Sequence, residues 1–122
     1  MKDTLTNYVG ALIVAFIARF GFAELLKEWV ARPRMLPDVG LGYSFPSGHA
    51  TFFFALATYV YVHDRRTGSL FFALAFAVSA ERLVSGAHYL SDVLAGAVLG
   101  IVVAYSAVWI LRFYEKAHNF RS

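Results

Sequence analysis

The sequence predicts an all-α, polytopic transmembrane helical bundle of about four spans, and three observations carry that expectation. First, 59% of the 122 residues are hydrophobic and 16% are charged, with a mean hydropathy of +0.58. A soluble domain carries about 45–50% apolar and roughly 25% charged residues. Second, the charge-free runs approach the length of a bilayer crossing. Third, the polar residues with chemical potential gather on one side of those runs. The composition excludes disorder and ordinary soluble folds. The absence of cysteine excludes disulfide scaffolds, thiolate metal sites and thiol nucleophiles. A net charge of +3 would hint at nucleic acid in a soluble chain. In a membrane protein the position of each basic residue carries the information, and no nucleic-acid partner is expected.

The elements follow in order. The first helix runs from about Leu5 to Ala31, with Arg19 and Glu24 as polar interruptions. A cleaved signal peptide is the competing reading of this segment. The lack of a small-residue cleavage site before Lys27 and the basic residues that follow argue against it. Pro33, Pro37, Gly40, Gly42 and Pro46 punctuate residues 32–46, the one long loop. Two shorter runs come next, between His49 and His63 and between Arg66 and Glu81. Each is short for a span, and each can cross if one end sits in a recessed polar pocket within protein. The last run holds nineteen uncharged residues between Asp92 and Arg112, close to the ~20 a helix needs.

Four spans place both termini and the 63–69 link on one side. That side carries Lys2, Arg65, Arg66, Arg112, Lys116 and Arg121, against Lys27, Arg32, Arg34 and Arg82 on the other. An excess of Lys and Arg marks the cytoplasm, so the termini are expected inside and the 32–46 loop outside. The plasma (inner) membrane of a bacterium is the expected location.

Lys27, Arg32, Arg34, Ser47, His49, Arg82, His88 and Asp92 all fall at the outer face. Cations converging near bilayer depth are costly and mark a function. Arg and Lys together suit phosphate. Ser47 reads as a helix N-cap with Gly48 beside it, and a helix N-terminus favours anions. His88 and Asp92 stand four apart and are expected to share a helix face. A carboxylate on one imidazole nitrogen fixes the tautomer and frees the other nitrogen to attack. Taken singly, each feature has a plain structural reading. Pro46–His49 is a turn with a cap, a His–Asp pair is common on helix surfaces, and Phe52, Phe53 and Phe54 face lipid or core. His63 and His118 read as interfacial residues of the opposite side.

The ordered set is more specific than its parts. Lys27, six intervening residues and Arg34 are followed by Pro46-Ser47-Gly48-His49, then by Arg82, five residues, His88, three residues and Asp92. This resembles the type 2 phosphatidic acid phosphatase (PAP2) superfamily signature K-x6-RP, PSGH and SR-x5-H-x3-D. Met35 stands where the family usually has Pro, and Glu81 where it usually has Ser. Glu81 near a phosphate calls for a basic partner, with Arg82, Arg19 and Arg32 the candidates.

The resemblance implies a reduced PAP2-like core, with residues 1–122 forming a single membrane-embedded phosphatase domain. It implies that His88 attacks phosphorus, that Asp92 orients it and that His49 acts as general acid and then base. Lys27, Arg34 and Arg82 would hold the phosphate oxygens, with Ser47 and the Gly48 amide completing the cradle. It implies no metal and no cofactor, since fixed cations can supply the charge. Many membrane members of the family are longer, with further spans before the first motif, whereas here that motif follows the first helix.

The substrate class so implied is a lipid phosphate or pyrophosphate monoester, with polyprenyl pyrophosphate, phosphatidylglycerophosphate and phosphatidic acid as candidates. Transfer from a lipid donor to another acceptor, and a non-catalytic binding or assembly protein, are the alternatives. Membrane lipids are expected partners. Gly96, Gly100 and Ala104 form a small-residue stripe, read first as intramolecular packing and second as a homodimer contact. An ion pair with Glu24 or Glu81 is the first reading of Arg19, and reach into the site the second.

Overall fold

The computed structural model describes residues 4–34 and 42–121, which form four helices. Helix α1 spans Thr4–Val30 and contains a π-helical turn at Ala18–Phe22. The others are α2, Gly48–His63; α3, Arg65–Val84; and α4, Leu90–Arg121. The readings attached to Lys2, Met35, Pro37 and Gly40 lie outside the described residues.

Three helices, α1, α3 and α4, are long and apolar enough to cross a membrane. Helix α2 has 16 residues, about 24 Å by the helical rise, which is short of the ~30 Å hydrocarbon core. It packs against each of the other three instead, and its Ala50, Phe54, Ala55 and Ala57 are buried. Its buried hydroxyls are satisfied within the helix: Thr51 donates to the Ser47 carbonyl at 2.8 Å and Thr58 to the Phe54 carbonyl at 2.7 Å. The expected four-helix bundle is therefore present, with its shortest helix enclosed.

Local chemistry sets each boundary. Helix α1 ends where Ala31 turns left-handed (φ 53°) and its N–H reaches the Lys27 carbonyl at 2.8 Å, two residues before Pro33. Ser47 caps α2 as expected, its extended backbone letting Oγ accept from the Ala50 N–H at 3.2 Å. Asp64 caps α3, accepting from the Thr67 hydroxyl at 2.7 Å. That bond, with Thr67 N–H beside it, holds the exposed Asp64 carboxyl below its ordinary pKa. A Cβ on Gly68 would overlap Tyr61 Cα, so the α2–α3 hairpin closes through glycine.

The small-residue stripe of α4 is spent inside the chain. A Cβ on Gly96 would come within 2.6 Å of the Ser47 carbonyl oxygen, and one on Gly100 would overlap the Thr51 carbonyl. Ala104 is fully buried against the same core as Ala11, Ala15 and Ala55. The stripe thus seats α4 on α2, the intramolecular packing that is its first reading. Lipid-facing positions carry the opposite pattern, large exposed side chains such as Leu70 and Phe76 on α3 and Leu94, Val98 and Trp109 on α4. The two ends of the bundle differ in composition. Asn7, His63, Arg112 and Asn119 line a cavity at the end that holds the α2–α3 link, and the cationic cluster occupies the other.

Replacing Gly100 with Val inserts side-chain atoms where backbones already touch. The expected cost is roughly 2–3 kcal/mol, read as a lower unfolding temperature in detergent, while Val98→Ala on the lipid face should change it little.

Candidate active site

Turns bring the polar residues together. At the end of α3, Gly86 adopts φ 78° and the N–H groups of Ala87 and His88 fold back onto the Arg82 carbonyl at 3.1 and 3.3 Å. This reversal carries His88 off the helix. Two residues later α4 begins, and Asp92 closes its first turn by accepting from the Tyr89 N–H at 2.8 Å, the reciprocal half of a capping box. The expected common helix face for His88 and Asp92 is therefore corrected. His88 lies in the turn before α4, with Nδ1 3.5 Å from Asp92 Oδ2.

The partner that fixes His88 is a carbonyl. Its Nδ1 lies 2.9 Å from the Ser44 oxygen, which can only accept, so Nδ1 carries the proton. Nε2 then bears the lone pair, and the Arg34 Nη1 donor 3.5 Å away faces it. His88 is 3% exposed. Burial, then the Arg34 charge, pull its pKa down to about 4, with Asp92 opposing. The ring is neutral at pH 7.

Around it stand the cations. Arg34 donates to the Ala87 carbonyl at 3.0 Å, and burial together with nearby Arg82 holds its pKa below the ordinary value. Lys27 is buried and its ammonium reaches the Tyr43 carbonyl at 3.0 Å. Arg82 is held by Glu81, whose two oxygens accept from Nε at 2.8 Å and Nη2 at 3.2 Å. Of the partners considered for Glu81, the structure selects Arg82, so that arginine enters the site partly neutralised. Ser47 is committed to the fold, since Oγ caps α2 and its N–H donates to the Asp92 carbonyl at 2.9 Å. Its hydroxyl proton is what it can still offer an anion. Gly48 is covered by the Arg19 guanidinium, which a Cβ there would overlap. His49 is exposed at the rim, with Arg82, Arg19, Arg34 and Glu81 as its charged neighbours.

Sequence reasoning left Arg32 without a task, and the structure supplies one. Its Nη1 donates to Asp92 Oδ1 at 2.8 Å and to Ser91 Oγ at 2.6 Å. The guanidinium also lies 5.1 Å from the Phe45 ring centroid and 5.3 Å from that of Tyr89. Ser44 was missed entirely. Nothing in a serine four residues before a helix signals that its carbonyl will orient a histidine 44 positions on. For Arg32 a signal existed, as one of two basic residues at this end with no phosphate role.

A lipid-facing helical bundle with basic side chains and two histidines gathered at one end defines an integral membrane protein equipped to hold an anion. Residues 5–117 match the model of the PAP2 superfamily, and the chain belongs to that superfamily. It is 44% identical over 86 residues to the bacitracin transport permease protein BcrC of Bacillus licheniformis, covering 62% of this chain and 42% of BcrC. It is 33% identical over 81 residues to a lipid A 1-phosphatase of Porphyromonas gingivalis, covering 63% of this chain and 18% of the relative. The fold is similar to the crystal structure of a transmembrane PAP2-type phosphatidylglycerolphosphate phosphatase from Bacillus subtilis. That match has a TM-score of 0.59 at 26% identity and covers 88% of this chain and 59% of the other. The chain thus spans less than half the length of the curated relatives it matches.

Two outcomes test the geometry. Arg32→Met leaves a fully buried carboxylate short of its charged partner, and the expected loss is roughly 2–3 kcal/mol of stability, toned down because Arg32 is 34% exposed. Nitrogen-15 NMR of the histidines should show His88 as the Nδ1–H tautomer through the range above pH 5. The unfolded chain takes up its proton near pH 6.5 and the folded ring only near 4. Stability is therefore lost as pH falls between those values. A titration midpoint for His88 near 6.5 would contradict the buried, carbonyl-anchored ring.

Proposed function

We propose that the chain is an integral membrane lipid phosphatase that hydrolyses a lipid phosphate or pyrophosphate monoester through a phosphohistidine. The observation that carries this reading is the state of His88, a neutral imidazole with Nδ1–H anchored on a carbonyl and Nε2 directed at Arg34. A nucleophile needs that lone pair, and phosphoryl transfer needs fixed positive charge around it.

In this mechanism Lys27, Arg34 and Arg82 take the non-bridging oxygens, assisted by the Ser47 hydroxyl and the Gly48 amide at the start of α2. His88 Nε2 attacks phosphorus and the bond to the leaving oxygen breaks. His49 protonates that oxygen. Asp92 stabilises the positive charge that His88 acquires. His49, now basic, takes a proton from water as it attacks the phosphohistidine, and phosphate departs. Three fixed cations supply the charge compensation, so no metal is required. The site lies at the outer face, with both termini cytoplasmic, in a bacterial plasma membrane. Candidate substrates are polyprenyl pyrophosphate, phosphatidylglycerophosphate and phosphatidic acid. The relatives described as lipid phosphatases support the substrate class.

Phosphate release from a panel of these lipids in detergent with EDTA is the test. Wild type should turn over, and His88→Ala should lose at least about 10³-fold, in line with removal of a covalent nucleophile. Turnover that needs Mg²⁺ or persists in the variant would sink the mechanism. Labelling of Gly40→Cys by a membrane-impermeant reagent should succeed from outside intact cells if the orientation is right.

A further inference from the structure

Two of the described basic residues at this end of the bundle have no part in the mechanism above: Arg32, which is tied to Asp92, and Arg19. Arg19 sits in the π-turn of α1, a local irregularity that re-aims side chains and recurs at functional sites. Its Nη1 pairs with Glu24 Oε1 at 2.6 Å, five residues on. The first reading of Arg19 from sequence, an intramembrane ion pair, is therefore present. The pair does not exhaust the residue. The guanidinium also lies across Gly48, whose missing side chain makes the space for it. Arg19 is 26% exposed, and the exposed surface opens into a recess of about 320 Å³. That recess is lined by Phe16, Phe20, Phe52 and Phe53 together with His49. Phe16 stacks on Phe20 and meets Phe52 edge-on, so the recess wall is a packed aromatic surface.

These groups match those found beside the reacting phosphorus of one kind of lipid. His49, the general acid of the mechanism above, shares one recess with the Arg19 guanidinium and the phenylalanines, and Arg82 is among its charged neighbours. In a lipid diphosphate the reacting outer phosphorus is followed by a bridging oxygen, an inner phosphate and a hydrocarbon tail. In a lipid monophosphate the leaving oxygen joins carbon directly, and Arg19 would face hydrocarbon.

Resting on the phosphatase reading, we infer that Arg19 is a specificity-determining residue that binds the inner phosphate of a lipid diphosphate. The outer P–O bond breaks as His88 bonds to phosphorus, and the lipid monophosphate leaves with the proton from His49. Arg19 holds the charge that develops on that leaving phosphate. Water then releases inorganic phosphate from His88. Glu24 neutralises Arg19 while the site is empty, because a lone cation at this depth is costly.

The experiment compares farnesyl diphosphate with farnesyl monophosphate, which share a tail. Arg19→Gln should lower kcat/KM for the diphosphate roughly 10- to 100-fold, the scale of one hydrogen bond to a charged group, and change the monophosphate less than about 3-fold. Retained monophosphate turnover certifies the fold. Equal losses on both substrates, or no loss on the diphosphate, overturn the inference. A second variant works if Arg19→Gln does not fold. Glu24→Gln removes the competing carboxylate and should tighten binding of farnesyl methylenediphosphonate relative to farnesyl phosphonate about 3- to 10-fold. An unchanged ratio overturns the inference. Binding of these analogues needs no turnover. A protein that hydrolyses nothing yet prefers the diphosphonate through Arg19 would therefore sink the phosphatase reading alone.

Discussion

The burial of Asp92 is the constraint on which the site end of the bundle depends. Its side chain has no solvent exposure, and a carboxylate removed from water destabilises the fold unless every lone pair finds a partner. The partners come from separate stretches of chain. Arg32 arrives from the loop after α1 and the Tyr89 N–H from the turn before α4, with the His88 ring 3.5 Å away beside them. The Asp92 backbone carbonyl then receives the Ser47 N–H, which fixes where α2 starts. One residue therefore determines the relative placement of three segments, and each of those segments carries groups assigned to phosphate chemistry. A site of this kind is preorganised by the same contacts that make the fold possible.

What the sequence made legible was local. The N-cap at Ser47, the spans, the Arg19–Glu24 pair and the packing use of Gly96 and Gly100 depend on neighbours a few residues apart or on the size of one side chain. The resemblance set Arg34, and not Arg32, among the phosphate-holding residues, and in the structure Arg34 Nη1 lies 3.5 Å from His88 Nε2. Illegible features depend on long separations. The Arg32–Asp92 pair joins residues sixty apart, and the Ser44 carbonyl that sets the His88 tautomer has no side-chain identity to recognise. The helix-face reading of His88 and Asp92 failed for a conformational reason. Gly86 turns left-handed and ends the helix before the histidine, so the spacing of four spans a turn and a helix start.

Among the described residues, Glu81 pairs with Arg82, Glu24 with Arg19 and Asp92 with Arg32, while backbone carbonyls accept from Lys27 and Arg34. Burial, and then the Arg34 charge, keep the His88 ring neutral. The same positive charge favours an incoming anion.

The π-turn in α1 has a geometric consequence of its own. Each residue advances a helix by 100°, and a π-turn accommodates one more residue per hydrogen-bonded loop than the α-helix does. The two halves of α1 are thereby phased independently. Ala11, Ala15 and Ala18 face the core in one phase, while Glu24 and Lys27 follow another. If the turn relaxed to α-helix, the upper half would rotate by about a quarter revolution and Lys27 would swing away from Tyr43. A single rod can thus serve two masters: its lower part is indexed to the packing of small residues and its upper part to the placement of charge. The dislocation between them lets either surface vary without dragging the other out of alignment.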